Sequence, residues 1–312
     1  MTSDGKFVLV IGRDGQVARS LEEILSASGY HVVQIGRPEA DLRNPALVSK
    51  AILASRPDFI VNAAAYTAVD QAEDEPETAF AINAAGAQAA AEAASNVSAP
   101  IIHFSTDYVF DGAKRAPYVE TDTVSPLGVY GHSKLIGESL VAEANPKHII
   151  LRTAWVFSPF GSNFVKTMLR LNRERPEINV VDDQQGSPTY APDLAATVCR
   201  IIDRLHTFPP NPEHFGTFHA TNGGKTSWYG FARAIVDGAA QRGAPHAIVH
   251  PIPTSDYPTK ARRPAYSVLS NEKLSYVYDI KLRPWSDALS EALDRLFSVP
   301  HGEKTATSAT RL

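Results

Sequence analysis

The sequence predicts an α/β protein built on a parallel sheet with helices on both faces. Three observations carry that prediction. Short apolar runs alternate with helical stretches through the first half of the chain. Those runs are apolar throughout, as strands covered on both faces are. A glycine turn follows the first run directly and leads into a helix.

Taken in order, Phe7 to Ile11 is the first strand, and the turn after it opens a helix near Val17 to Ser28 that Gly29 ends. His31 to Ile35 is the second strand, Pro45 to Ser55 a helix and Asp58 to Asn62 a strand. Glu77 to Ser95 is alanine-rich and reads as one helix, because alanine favours helix and packs closely on a sheet. Ile101 to Ser105 is a strand, Gly131 to Asn145 a helix and His148 to Thr153 a strand. Such alternation implies right-handed crossovers. The second half holds longer loops, with helices near Pro192 to Leu205, Ser227 to Arg242 and Ser286 to Phe297. Pro209, Pro210 and Pro212 mark a surface connection. This divides the chain into a dinucleotide-binding domain (1–155 with about 192–240), a smaller discontinuous α/β substrate-binding domain (about 156–191 with 241–298) and a flexible tail (299–312).

With 312 residues there is enough chain for a sizeable core. A formal net charge of −4 offers no field for nucleic acid or an anionic membrane. One cysteine, Cys199, cannot form an intrachain disulfide, and its apolar neighbours suggest a core thiol. Residues 1–5 are too polar for a signal peptide, and no run is long enough to span a bilayer. The expected location is the cytoplasm.

The glycine turn reads Gly12, Gly15, Ala18 at the spacing G-x-x-G-x-x-A. Glycines permit a tight turn and close approach of a pyrophosphate, and the helix aims its N-terminus at the negative charge. The motif alone is weak; its place between strand one and helix one strengthens it and suggests a Rossmann-type dinucleotide site. Past the second strand the chain reads Ile35-Gly36-Arg37, with no acid to hold a ribose 2′-hydroxyl. Arg37 suits a 2′-phosphate, which favours NADPH without excluding NADH.

Tyr130 and Lys134 stand four apart, on one face of a helix start. Reducing a ketone requires a proton for the oxygen as hydride reaches the carbon. A free tyrosine, with a pKa of about 10, is a sluggish donor; a neighbouring ammonium is expected to lower that value. The pair's spacing is common, but the strand ending in Ser105 and Thr106 adds a hydroxyl at the sheet edge where ligands bind.

The segments Asn62–Asp70 (NAAAYTAVD), Ser105–Gly112 (STDYVFDG), Tyr130–Glu138 (YGHSKLIGE), Leu151–Phe157 (LRTAWVF), Asn163–Arg170 (NFVKTMLR) and Asp183–Thr189 (DQQGSPT) form a pattern with Tyr257-Pro-Thr and Arg263-Pro264. It resembles the extended short-chain dehydrogenase/reductases, and within them the reductases of nucleotide-linked 4-ketosugars, over nearly the whole chain. The resemblance implies NADPH-dependent reduction of the C4 ketone of dTDP-4-dehydro-L-rhamnose. It makes Thr106, Tyr130 and Lys134 the catalytic triad. It assigns Gly12, Gly15, Gln16 and Val17 to the cofactor diphosphate, Asp41 and Leu42 to the adenine, and Ala63, Ala64 and Ala65 to the cofactor groove. Thr67, Val69, Asp107, Tyr108 and Trp155 would face the sugar, with Asn163 and Arg263 toward the substrate nucleotide and its diphosphate.

Several of these residues also have a plain structural reading: Arg37 a solvated charge, Thr106 a loop hydroxyl bonding its own backbone, Trp155 a core aromatic, Arg263 a surface ion pair. Related 4,6-dehydratases carry Asp-Glu after the hydroxyl residue; here Asp107-Tyr108 lacks the glutamate, which favours reduction over elimination. Ser20 and Pro192 stand where some relatives place glutamates that hold an intersubunit magnesium. The expectation is therefore no metal, and a monomer or weak homodimer. The rivals are a reductase of another nucleotide-linked 4-ketosugar and a non-catalytic NADP-binding regulatory subunit, as in methionine adenosyltransferase.

Overall fold

The computed structural model describes residues 6–207 and 211–298. Pro209, Pro210 and the tail 299–312 lie outside the described residues. The strands are β1 (Phe7–Ile11), β2 (His31–Ile35), β3 (Phe59–Asn62), β4 (Ile101–Thr106), β5 (His148–Thr153), β6 (Val156–Phe157), β7 (Glu177–Val181), β8 (Gln185–Gly186), β9 (Thr189–Tyr190), β10 (Gly216–His219), β11 (Thr226–Ser227) and β12 (Ile248–Ile252). The helices are α1 (Gln16–Ala27), α2 (Pro45–Ser55), α3 (Val69–Ala72), α4 (Pro76–Phe80), α5 (Ala87–Asn96), α6 (Val129–Ala144), α7 (Phe164–Glu174), α8 (Ala191–Thr207), α9 (Trp228–Ala240), α10 (Glu272–Tyr278) and α11 (Trp285–Ser298).

The central sheet has six strands in the order β10-β5-β4-β3-β1-β2, every pair parallel. Alternation along the strands explains its two covered faces. Val8 and Val10 of β1 join α1 and α8 in one core, which also holds Cys199. Leu9 and Ile11 join α2, α5 and α6 in the other. The chain runs outward from β1 to β2, then returns to the far side of β1 as β3. The strand order therefore reverses between β1 and β3, which opens a crevice at their carboxyl ends.

A second apolar cluster gathers α7, α9, α11, β7 and β9, with Phe157, Tyr190 and Phe231 at its centre. Of the 192–240 segment, α8 and β10 pack with the central sheet, whereas α9 packs in this second cluster. Two expectations need correction. The predicted helix from 77 to 95 is not uniform: α4 and α5 are joined by a π-helical segment, Ala81–Gly86. There a β-carbon on Gly86 would stand 2.4 Å from the Leu42 carbonyl oxygen, so glycine lets this wall approach the 41–42 loop. The helix expected from 131 begins at Val129, which puts Tyr130 inside its first turn.

Candidate active site

A cleft of about 810 Å³ runs along the carboxyl edge of the sheet from the β1 turn to the second cluster. Gly12 adopts φ +127°, where a side chain is strained, and a β-carbon there would crowd Ala18 at 3.3 Å and the Ala63–Ala64 backbone at 3.5 Å. Gly15 begins α1 with no side-chain cap and open space where its β-carbon would be. The first amides of α1 thus remain free, and no acid stands in the first turn. This is an anion site made of backbone, and it fits a dinucleotide diphosphate. Ala63, Ala64 and Ala65, after β3, form the facing wall.

At the outer rim stand Arg13, Arg37, Asp41, Leu42 and Arg43. Arg13 pairs with Glu39 at 2.7 Å, and Arg43 with Asp41 at 2.6 Å. Arg37 is exposed and has no ion pair among the described residues. The guanidinium of Arg43 holds the Asp41 carboxyl below its usual range.

Midway along the cleft, α6 presents Tyr130 and Lys134 one turn apart. Gly128 gives this helix no side-chain cap; Glu73, across from α3, accepts the Val129 amide at 2.9 Å instead. A carboxylate at a helix N-terminus is favourable both as acceptor and as charge. Thr106, the last residue of β4, accepts the Tyr108 amide at 3.2 Å and donates to Asp107 at 3.1 Å. Its hydroxyl also hydrogen-bonds Tyr130. The local turn read as the alternative for Thr106 is therefore present, with its hydroxyl beside Tyr130. Burial pushes Asp107 up to about 6, against the hydrogen bonds of Ser267 and Thr106. It pushes Lys134 down to about 8, against the carboxylate of Glu138.

The expected lowering of Tyr130 is not found. Burial pushes its hydroxyl up to about 12, because desolvation of the phenolate outweighs the Thr106 hydrogen bond. Lys134 is turned elsewhere: its Nζ donates to the Phe104 carbonyl at 2.7 Å and lies 3.2 Å from His103 Nε2.

Beyond the pair, Thr67, Val69, Asp107, Tyr108, Trp155, Trp228 and Arg263 line the inner end. Trp155 takes φ +46° and stacks on Trp228 with centroids 3.6 Å apart. Arg263 donates to Asp70 at 2.9 Å, and its Nε is buried without a partner.

The family described as RmlD substrate binding domain matches residues 6–298. A dTDP-4-dehydrorhamnose reductase of Sinorhizobium fredii is 46% identical over 279 residues, 89% of this chain and 94% of that protein. The chain belongs to the dTDP-4-dehydrorhamnose reductase family. It is an oxidoreductase of the extended short-chain type. Two solved reductases superpose on it with TM-scores of 0.86, covering 93% of this chain and 99% of each. One is from Clostridium acetobutylicum at 39% identity, the other from Bacillus anthracis, in complex with NADP, at 36%.

In this family member every sequence-predicted site residue lines the cleft except one. Asn163 lies outside it. Its side chain caps α7 by accepting the Lys166 amide, and donates to Gln16 at 2.9 Å and to the Ser158 carbonyl at 2.8 Å. An Asn before an amphipathic helix is a capping signal, and that local role explains the residue. Sequence reasoning missed Arg13, Arg43, His103 and Trp228. Arg13 sits inside the glycine turn and was visible there. Trp228 comes from the second cluster, and no local pattern ties it to a residue 73 positions earlier. Among the described residues there is no cluster of metal-ligating side chains, and no helix long and apolar enough to cross a membrane.

Proposed function

We propose that this reductase converts dTDP-4-dehydro-L-rhamnose to dTDP-L-rhamnose with NADPH. The observation that carries the reading is the junction of two halves of one cleft. The backbone anion site and the alanine wall end where Thr106, Tyr130 and Lys134 line the cleft, and a pocket of sugar-sized polar and aromatic groups begins there. When bound, the dihydronicotinamide supplies a hydride to C4. The Tyr130 hydroxyl gives its proton to the C4 oxygen, Thr106 orients that oxygen, and solvent restores the proton. Tyr108 stands where an eliminating enzyme needs a carboxylate, and burial raises its hydroxyl above the ordinary tyrosine value, so it is no base. Arg37, which has no ion pair among the described residues, would hold a 2′-phosphate. Arg263 would serve the sugar diphosphate, and a monomer or weak homodimer suffices, since one chain contributes every residue named.

The test is NADPH oxidation with the ketosugar made in situ by an upstream dehydratase and epimerase. The expected result is oxidation that depends on the epimerase and yields dTDP-L-rhamnose. Tyr130→Phe should lower turnover by about 10²–10⁴-fold. Tight NADPH binding without oxidation would instead point to another 4-ketosugar or to a regulatory role.

A further inference from the structure

Lys134 is the most deeply buried cation of the cleft, and its surroundings can be read donor by donor. Asn62, His103 and Lys134 are all buried. The Ala64 amide lies 3.2 Å from Asn62 Oδ1. A backbone amide can only donate, so this contact fixes which end of the Asn62 amide faces it. The other end, Nδ2, therefore points to His103 Nδ1, 3.1 Å away. An amide nitrogen also only donates, so Nδ1 accepts and the imidazole hydrogen sits on Nε2. That hydrogen faces Lys134 Nζ at 3.2 Å. Lys134 in turn donates to the Phe104 carbonyl.

We propose that Asn62 and His103 form a tautomer lock that favours the uncharged amine of Lys134 over its ammonium in the cofactor-free enzyme. Only an amine lone pair can receive the His103 Nε2 hydrogen; an ammonium would set two donors against each other. The chain of hydrogen bonds then runs one way, from Ala64 through Asn62, His103 and Lys134 to Phe104. Each hydrogen lies between one donor and one acceptor.

The other arrangements each lose something. Turning the Asn62 amide would point its nitrogen at the Ala64 amide. Charging the imidazole would place two cations side by side in a buried site, and burial together with Lys134 holds His103 well below its ordinary range. The remaining groups around Lys134 do not reverse the balance. Glu138, one turn along α6, favours the ammonium, but both its oxygens are engaged by Arg152 and one by Ser105. Tyr130 is neutral. Asp107, on the turn after β4, is directed at Thr106. Glu73 is spent on the start of α6. Asn62 and His103 are thus positioning residues, acting on the reaction through Lys134. Their effect is to place the lysine's titration near the working pH, so that it can take up or release a proton beside Tyr130.

The inference concerns the cofactor-free protein and holds whatever sugar the cleft accepts, so it can fail independently of the proposed substrate. The test is nuclear magnetic resonance on the cofactor-free enzyme with labelled histidine and lysine. In the wild type, His103 should show the Nε2–H tautomer at pH 9, above the Lys134 midpoint. Lys134 Cε should titrate at least a full pH unit below the surface lysines. Nδ1–H at His103, or an ordinary lysine midpoint, would overturn the lock. In Asn62→Asp, one carboxylate oxygen can keep the Ala64 amide while the other accepts from Nδ1. The tautomer should then switch, and the Lys134 midpoint should rise by a unit or more, a tenfold or greater gain in proton affinity. A rise without the tautomer switch would mean simple charge attraction and would also overturn it. The wild-type spectra decide the matter even if the variant does not fold.

Discussion

Trp155 and Trp228 lie face to face, with ring planes 8° from parallel, although one sits between β5 and β6 and the other opens α9; both pack against the second apolar cluster. The stack is held from below by Gly186 of β8, where a β-carbon would come within 2.4 Å of Trp155 Cε2. Gly186 is paired with Thr226 of β11, so its backbone has little room to retreat. Gly186→Ala should therefore displace the Trp155 indole into the cleft. Overpacking of this kind costs about 1–3 kcal/mol. The expected outcome is a KM for the nucleotide sugar raised about tenfold or more, with NADPH affinity unchanged. Steady-state kinetics and a fluorescence titration would show it. An unchanged KM would remove Trp155 from the sugar pocket.

The three arginines at the cofactor rim are not equivalent. Arg13 and Arg43 are each committed to an acid, Glu39 and Asp41, while Arg37 has no ion-pair partner among the described residues. A hydrogen bond to a charged group contributes about 1.5–3 kcal/mol. Arg37→Ala should raise the KM for NADPH about 10–100-fold and leave that for NADH alone. Equal changes for both cofactors would return Arg37 to the status of a solvated charge.

How much of this could be read beforehand differs by region. The strands and helices of the first half were legible because a sheet covered on both faces writes itself as apolar runs, and Gly12 and Gly29 punctuate them. β7 and β12 were not, because they form a two-stranded pair at the surface with residues such as Glu177 and Ile248 exposed. α7 was readable in principle: Val165, Met168 and Leu169 recur at helical spacing. Thr106, Tyr130 and Lys134 were legible as candidate residue types in a known company, but their electrostatics were not. The expectation that Lys134 would lower Tyr130 assumed a neighbouring ammonium acting on the phenol. Burial and the Phe104 carbonyl, invisible in a linear pattern, decide otherwise. Asn163 shows the converse: a motif residue to which the structure gives a local capping role.

Behind the site, Glu138 and Arg152 form a two-pronged ion pair at 2.6 and 2.9 Å, with both side chains only 6% exposed. Glu138 also receives the Ser105 hydroxyl. Removing one member of such a pair leaves the other charge buried, which typically costs about 3–5 kcal/mol. Arg152 is poorly placed to recover, since its Nη1 already lacks a partner. Glu138→Ala should lose stability on that scale in urea melts, more than a surface pair such as Arg170 and Glu174 would lose. A loss below about 1 kcal/mol would show that water reaches Arg152.

Asp107 and Lys134 both burden the fold near neutral pH, in opposite senses. Asp107 rises from 3.8 to about 6 on folding, so between those values the native state binds more protons than the unfolded state. Stability then falls as pH rises through that window. Lys134 falls from 10.5 to about 8, so between those values the unfolded state binds more protons. Stability there rises with pH. Shifts of this size correspond to roughly 3 kcal/mol each. From about pH 6 to 8 both penalties are present in full. Lys134→Met should accordingly be more stable than the wild type at pH 7 while losing turnover, and its advantage should shrink as pH approaches 10.5. Asp107→Asn should gain above pH 6 and lose that gain toward pH 4. Denaturant titrations across this range measure both. A Lys134→Met variant less stable than the wild type at pH 7, with no pH dependence in the difference, would mean that the lysine stays solvated enough to keep its charge at no cost.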